Sequence, residues 1–585
     1  VHRPLLVLAP LLALAPSAPP AAPPTAPLAA DAAAIFSEVG AAVGLDFVHF
    51  NGMSGDFYFP EVMGPGGALF DYDNDGDLDL YVVQGAMLGT GKTLQDAWFP
   101  PQGLNLPPRG RLFRNDLVVH PDGTRTLHFT DVTAASRIDA RGYGMGVATG
   151  DFDGDGWTDL YLTNYGPNQL LHNNGDGTFT DVTAKSGTGD PRWSVSATFF
   201  DYDRDGRLDL YVANYVDAPL SNNLRCTAAS SRRDWCGPAS FPPLAGRLYH
   251  NQGNGTFEDV SARAGIAQHP EPSLGVVAFD ADGDGWPDLY VANDGRPHQL
   301  WINRHDGTFR DDALLAGVAL NRQGKAEAGM GVDAGDFDDD GDDDLVKTNL
   351  SGETNSLYVN DGHGTFEDRS LESGLAAGSL PFTSFGVGWI DADNDGRLDV
   401  LAVSGAVRIL EPLAAKGDRF PLAQTKRLYR NLGGGRFEDA TARAGPFFQV
   451  AEVSRGAAFG DVDNDGDTDV VVFNDNGPVR LLRNEVGSQK DWLGLRLVDG
   501  KGYSALGARV ELVRSGARSL WRHVHSDGSY ASASDPRLLF GLEESSQVTG
   551  LRVQWPDGRR ETFPAPPLRR YSTLKEGTGS AVATP

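Results

Sequence analysis

The chain has 585 residues, 40% of them apolar, with 79 acidic side chains against 50 basic ones, for a formal charge of -29. Its length exceeds one ordinary domain and its apolar content is ample for buried cores. Excess acidity without a basic stripe excludes a surface built to hold nucleic-acid phosphates, and 72 glycines with 36 prolines favour short strands and turns over long helices.

The N-terminus has a short basic start at His2 and Arg3, an apolar run from Leu5 to Ala15, then small residues. This pattern predicts a secretory signal peptide over residues 1–30, too short to span a bilayer. A secreted or periplasmic, extracellular location is therefore expected, with no later transmembrane segment.

From Phe36 onward one unit recurs. It is opened by F-x-D-V, as FSEV at Phe36, FTDV at Phe129 and Phe179, and FEDV at Phe257. A Gly/Ala-rich strand follows, such as GMGVATG before Asp151 or GMGVDAG before Asp336. Next come an aspartate loop, an apolar strand of L-D-L-Y-V type, a variable connection, and a closing strand. That strand ends at Asn115, Asn173, Asn251, Asn303, Asn360, Asn431 or Asn484. Turns such as NNGDGTF then lead on with tight hairpin chemistry. Seven such units of four short strands predict an all-β fold, a seven-bladed β-propeller over residues 31–486.

The aspartate loops read D-x-D-x-D-G-x-x-D seven times. Carboxylates at positions 1, 3, 5 and 9 suit a hard cation wrapped by oxygen, and glycine at position 6 permits the sharp turn that aims them inward. Magnesium prefers a tighter, more hydrated octahedron, so Ca2+ is expected, up to seven ions. EF-hands share the first half of the pattern but end on Glu at position 12 and lie between helices; strands follow here. The candidate ligands are Asp71, Asp73, Asp75 and Asp79; Asp151, Asp153, Asp155 and Asp159; Asp201, Asp203, Asp205 and Asp209; and Asp280, Asp282, Asp284 and Asp288. The last three loops add Asp336, Asp338, Asp340 and Asp344; Asp391, Asp393, Asp395 and Asp399; and Asp461, Asp463, Asp465 and Asp469. The loops hold 33 of the 79 acidic residues and three of the 50 basic ones, which leaves the rest of the chain nearly neutral. The charge therefore speaks of metal ligation.

Strand alternation puts the metal loops and the NGDGTF-type turns on one face of the propeller. The second-to-third connections lie on the other, and there the large insertions collect: Gln84 to Gly110, Tyr215 to Gly246, and Ser404 to Lys426. Recognition is expected on that loop-rich face. Trp98, Phe99, Arg232, Arg233 and Trp235, with Arg296, His298 and Glu353 in shorter blades, suit a contact site, or else pack the loops onto the rim. Cys226 and Cys236, the two cysteines, share one insertion and are expected to form a disulfide in an exported chain.

After Asn484 the loops stop. Alternating apolar positions at Val510 and Leu512, and at Leu551, Val553 and Trp555, predict a separate small all-β, sandwich-like domain over residues 490–575, then a disordered tail over 576–585. His523 and His525 fall on one strand face and are read as surface residues rather than metal ligands.

The seven loops resemble FG-GAP/VCBS repeats, the calcium-loop propeller repeats found also in integrin α-subunit heads. LGARV (Leu506 to Val510), FGL (Phe540 to Leu542) and QWPDG (Gln554 to Gly558) resemble the ASPIC/UnbV module. A propeller followed by this module is similar to the cartilage acidic protein family. The resemblance implies calcium binding and extracytoplasmic residence, brings no defined reaction, and offers no counterpart of the integrin partner's own metal site. It further implies that the backbone carbonyl at position 7 coordinates: Asp77, Trp157, Arg207, Trp286, Asp342, Arg397 and Asp467.

No G-x-S-x-G and no H-E-x-x-H occurs. The leading expectation is a non-catalytic scaffold that binds an extracellular protein or glycan. The alternatives are an enzyme or biosynthetic accessory on the loop-rich face, with Glu353 and Glu411 as candidate carboxylates, and a structural role in envelope assembly through the C-terminal domain.

Overall fold

The computed structural model describes residues 34–101, 108–140, 142–543 and 547–582. The expected signal peptide and the last three residues of the expected tail lie outside them.

Among the described residues, each aspartate loop is the hairpin between the first two strands of a four-stranded antiparallel sheet, and there are seven such sheets. The second blade shows the pattern: Tyr143–Gly150, Asp159–Tyr165, Gln169–Asn173 and Phe179–Asp181, paired in that order. The first strands follow one another around a ring, and that of the seventh blade, Ser454–Gly460, returns against Gly67–Phe70 of the first. The fold is a seven-bladed propeller. Large apolar side chains between neighbouring sheets hold the ring, as where Phe200, Tyr202, Tyr211 and Trp301 form one buried cluster.

The F-x-D-V segment does not open a blade, as the repeat in the sequence implies. It is the outermost strand of the preceding sheet: Phe129–Asp131 pairs with Arg111–Asn115 of the first blade. The repeat and the blade are therefore offset by one strand. The first copy, Phe36–Glu38, consequently pairs with Arg480–Asn484 and completes the seventh sheet, tying the two ends of the ring together.

A second ring of hydrogen bonds runs through the asparagines that end the third strands. Asn115 Nδ2 donates to Val462 O of the seventh loop (2.8 Å), Asn173 to Tyr72 O (2.8 Å), Asn251 to Phe152 O (2.6 Å) and Asn303 to Tyr202 O (2.8 Å). Asn360 donates to Ala281 O (3.0 Å), Asn431 to Phe337 O (2.9 Å) and Asn484 to Ala392 O (2.9 Å). Each bond joins a blade to position 2 of its neighbour's loop, and the series closes. Buried amides need such partners, which explains why Asn recurs there.

The C-terminal domain is a sandwich of two sheets. Asp491–Val498 lies between Leu538–Glu543 and the parallel strand Tyr571–Lys575. Leu520–His523, Arg509–Ser515, Gln547–Gln554, Arg560–Pro564 and Ser580–Ala581 form the other sheet. Val510, Leu512, Leu551, Val553 and Trp555 are all buried between them, as their alternation predicts. The expected disordered tail is corrected in part: Ser580–Ala581 pairs with Arg560–Pro564, because the turn after Lys575 folds the chain back onto that edge.

This domain is not separate. Its segment from Ser526 to Asp535 enters the axis of the propeller and bonds to the innermost strands. Leu69 N donates to Ala533 O (3.0 Å), Val147 N to Ala531 O (3.2 Å), Ala531 N to Ser196 Oγ (3.0 Å) and Gly528 N to Val276 O (3.3 Å). Val332 N donates to Ser529 O (3.0 Å) and Asp535 N to Phe459 O (2.9 Å), while the Tyr530 ring meets Phe385 edge-on at 4.8 Å. Those seven contacts reach all seven blades. The glycines of the first strands make the room: a Cβ on Gly66 would lie 1.8 Å from Ala531 O, and one on Gly146 2.6 Å from it.

Candidate metal centres

Each aspartate loop turns twice through left-handed backbone. Glycine at position 6 has φ between 81° and 99°, and position 4 is left-handed as well, at Asn74, Gly154, Arg204, Gly283, Asp339, Asn394 and Asn464. The second of these turns is not visible in the D-x-D-x-D-G pattern; its trace is the Asn, Asp or Gly that stands at position 4 in six of the seven loops, since those residues tolerate this region best.

The two turns draw the carboxylates together. Asp71, Asp73 and Asp79 place oxygens within 4.8 Å of one another, as do Asp151, Asp153 and Asp155, and Asp201, Asp203 and Asp205. Two like charges at that separation repel by about 3 kcal/mol at an effective dielectric constant of ~20. Burial first, and the neighbouring carboxylates with it, push the position-1 group up to about 6 at Asp71, Asp151, Asp201 and Asp280, about 7 at Asp391 and about 8 at Asp336 and Asp461.

Position 9 does more than offer an oxygen. Its Oδ1 accepts the N–H of the third-strand asparagine at 2.7–2.8 Å in every blade, from Asp79 with Asn115 to Asp469 with Asn484. Its Oδ2 faces the N–H at position 2, as between Asp159 and Phe152 (3.1 Å). This carboxylate therefore ties loop to strand, a role that the spacing alone does not reveal.

Against those satisfied oxygens, others are buried with no hydrogen-bond partner: Asp71 Oδ1, Asp73 Oδ1, Asp203 Oδ1, Asp280 Oδ1, Asp338 Oδ1, Asp393 Oδ1 and Asp463 Oδ1. All sit at positions 1 or 3, and they cover six of the seven loops. Buried polar atoms are ordinarily satisfied, so the donor set fits a hard cation. The second loop differs, with His172 Nδ1 3.2 Å from Asp159 Oδ1 and 3.4 Å from Asp153 Oδ2; His250 approaches Asp209 Oδ1 at 3.2 Å in the third. Position-7 side chains point to other tasks: Trp286 stacks on His305 at 4.6 Å, and Arg207 Nε donates to Asn251 O (3.1 Å).

The C-terminal domain lies on the loop face. Arg518 Nη1 donates to Asp338 O (3.0 Å), Arg537 Nη2 to Asp461 O (3.0 Å), and Tyr571 Oη to Asp461 Oδ2 (3.0 Å). His523 and His525 are corrected from surface residues to this junction, because their strand leads directly into the axial segment. His523 is 9% exposed, its ring stacks on His525 at 4.1 Å, and its Nδ1 lies 3.2 Å from Asp343 Oδ2.

On the opposite face the insertions fold inward as a cap. Trp235, 1% exposed, packs with Phe59, Tyr215 and Phe420, and Cys226 is bonded to Cys236 as expected. Of the residues expected at a contact site, Trp235 and His298 are buried, whereas Arg232 and Arg296 are exposed. Trp98 and Phe99 are half-buried, with the Arg419 guanidinium 5.3 Å and 5.2 Å from their ring centres. Arg233 is half-buried over the Phe57 ring at 5.3 Å. Glu353 Oε2 accepts the Ala328 N–H (2.8 Å), and Glu411 starts a short helix, Glu411–Ala414.

Glu61, fully buried in this cap, accepts the Trp235 indole N–H at Oε2 (3.0 Å). Burial first, then Asp475 and Asp56, raise its carboxyl from 4.5 to about 8. The folded state thus holds this proton more tightly than the unfolded chain does. Its stabilising contribution is complete below about pH 4.5 and is lost as pH rises through about 8. Glu61→Gln is therefore expected to gain stability over wild type across that window, by up to ~1.4 kcal/mol per pH unit. Denaturant midpoints of both proteins, compared at the two ends of the window, check this.

The ring and its loops define the class: an FG-GAP repeat propeller with an ASPIC/UnbV domain. A family model described as FG-GAP-like repeat matches residues 151–212, 239–291, 280–347, 336–402 and 423–472, and one described as ASPIC and UnbV matches 499–581. The chain is similar to the cartilage acidic proteins. It is 26% identical to Cartilage acidic protein 1 of Homo sapiens over 308 residues, 52% of this chain and 43% of that protein. The Xenopus tropicalis protein is 25% identical over 315 residues, 52% of this chain and 44% of its own length. The match thus spans less than half of these relatives.

Among solved structures, the chain is similar to an Agrocybe aegerita lectin that recognises non-reducing terminal N-acetylglucosamine (16% identity, 60% of this chain, 84% of that chain, TM-score 0.33). It is also similar to the Dos1 propeller (9% identity, 74% of this chain, 94% of that chain, TM-score 0.32). At such scores neither likeness carries an argument. No helix among the described residues is long and apolar enough to cross a membrane.

Proposed function

We propose that this chain is an exported, calcium-stabilised propeller that acts as a non-catalytic binding scaffold for an extracellular protein or glycan. The observation that carries the calcium reading is the set of buried carboxylate oxygens with no hydrogen-bond partner at positions 1 and 3 of six loops. When bound, Ca2+ supplies the positive charge that lets these carboxylates stay ionised and close together. The chain's own residues do the rest: position 6 and position 4 shape the turn, position 9 ties it to the third strand, and the asparagine ring joins the loops into one circle.

Recognition is assigned to the capped face, since the axis is filled by the chain itself and the C-terminal domain covers part of the loop face. Trp98, Phe99 and Arg419 are the surface group best suited to it: two half-exposed rings under one guanidinium make a platform for a sugar ring or an apolar side chain. The disulfide supports residence outside the cytoplasm. The test is binding of the calcium-loaded chain to arrays of glycans and of extracellular proteins. Binding that Trp98→Ala reduces at least about tenfold, at unchanged melting temperature, supports the reading. Blank arrays, or binding indifferent to this substitution, count against it.

A further inference from the structure

The seven loops are covered unequally. Asp153 and Asp155 of the second loop, Asp205 of the third and Asp284 of the fourth are exposed to solvent. In the seventh, Asp461 is 2% exposed, Asp463 5%, and Asp467 and Asp469 not at all. The sixth is similar at positions 1, 5 and 9, with Asp391 6%, Asp395 7% and Asp399 3% exposed, while the side chain of Asp393 at position 3 is 25% exposed.

What covers them is the C-terminal domain and its approach. Trp492 lies so close over Gly466 that a Cβ there would meet the indole at 1.8 Å. Tyr571 Oη donates to Asp461 Oδ2 (3.0 Å), and Ser488 N donates to Asp467 Oδ2 (2.8 Å). Over the sixth loop, a Cβ on Gly541 would lie 2.2 Å from Asp391 Oδ2 and Lys490 Nζ lies 3.8 Å from Asp393 Oδ1, while Arg430 of the sixth blade itself lies 3.0 Å from Asp393 Oδ2. Yet Asp393 Oδ1, Asp463 Oδ1 and Asp467 Oδ1 remain buried with no hydrogen-bond partner.

We propose that the sixth and seventh loops are locked cation sites, whose ions leave only when the C-terminal domain lifts, whereas the ions of the open loops exchange directly with solvent. This rests on the calcium reading above. An ion under the domain sits beneath Trp492 and the strand at Gly541, so its escape is expected to need a local opening that breaks the contacts just described, with a rate that follows the free energy of that opening. An ion in the second, third or fourth loop needs no such opening. Occupancy of the seventh loop in turn holds the domain down, because the Tyr571 hydroxyl and the Arg537 guanidinium, bonded to Asp461 Oδ2 and O, find their partners only when the loop keeps its shape.

The experiment loads the full chain with radioactive calcium, measures total bound metal by elemental analysis, and chases with excess unlabelled calcium. The expected result is biphasic loss, the ions of two loops leaving at least about tenfold more slowly than the others. Tyr571→Phe, which keeps the ring, and Trp492→Ala should speed the slow phase and leave the total unchanged, with circular dichroism confirming that each variant is folded. A single fast phase in the wild-type chain overturns the proposal, as does a slow phase that neither variant moves. A chain that binds no calcium at all overturns the calcium reading instead, and elemental analysis tells the two failures apart.

Discussion

Chelation of divalent cations is expected to lower the thermal midpoint of this protein by about 10 °C or more, further than any one substitution considered above. A ligand that binds only the folded state, present at a hundred times its Kd, stabilises by about 2.7 kcal/mol per site, and independent sites add. Without cations the loops must either keep mutually repelling carboxylates or take up protons, as the raised values of the position-1 aspartates indicate. Calcium added back should restore the midpoint, and magnesium should restore it less, because the smaller ion dehydrates reluctantly and demands an octahedron. A melt that does not move on chelation would remove the basis of the proposed function.

The second large effect is expected at the axis. Tyr530 is fully buried, donates its hydroxyl to Met63 O (2.7 Å) and packs against Phe385. Tyr530→Ala empties the centre of a ring whose strands cannot close further, and truncation of a buried aromatic costs about 3–5 kcal/mol. Tyr530→Phe keeps the ring but leaves the Met63 carbonyl unpaired, a loss of about 1–3 kcal/mol. Denaturant titrations read by tryptophan fluorescence should show this order. Because residues 526–535 touch every blade, propeller and C-terminal domain should also unfold in one transition. A Tyr530→Ala midpoint equal to wild type would mean that the axial segment contributes nothing to the ring.

The residues that were legible in the chain share a property: their pattern is local. D-x-D-x-D-G-x-x-D announces a loop because its turns and ligands lie within nine residues. Val510, Leu512, Leu551 and Val553 announce strands because alternation is a property of one strand, and all four are buried as expected. Cys226 and Cys236 stand ten residues apart and pair within one insertion. Trp235 and His298 show the limit, since exposure depends on what folds over a side chain, and an aromatic or histidine in a loop reads the same whether it faces solvent or the cap.

By itself, then, the sequence determined the all-β class, the sevenfold repeat, the aspartate loops with their glycine turns, and the small β domain at the end, all of which follow from short-range periodicity and backbone preference. Only the tertiary structure decided that Phe36–Glu38 completes the last sheet, that the asparagines form a closed circle, and that Ser526 to Asp535 fills the axis. These contacts join residues hundreds of positions apart, such as Asn115 with Val462 and Tyr530 with Met63. A glycine that leaves space for another backbone looks, in one chain, like any other glycine; the partner that needs the space becomes known only when the ring has closed around it.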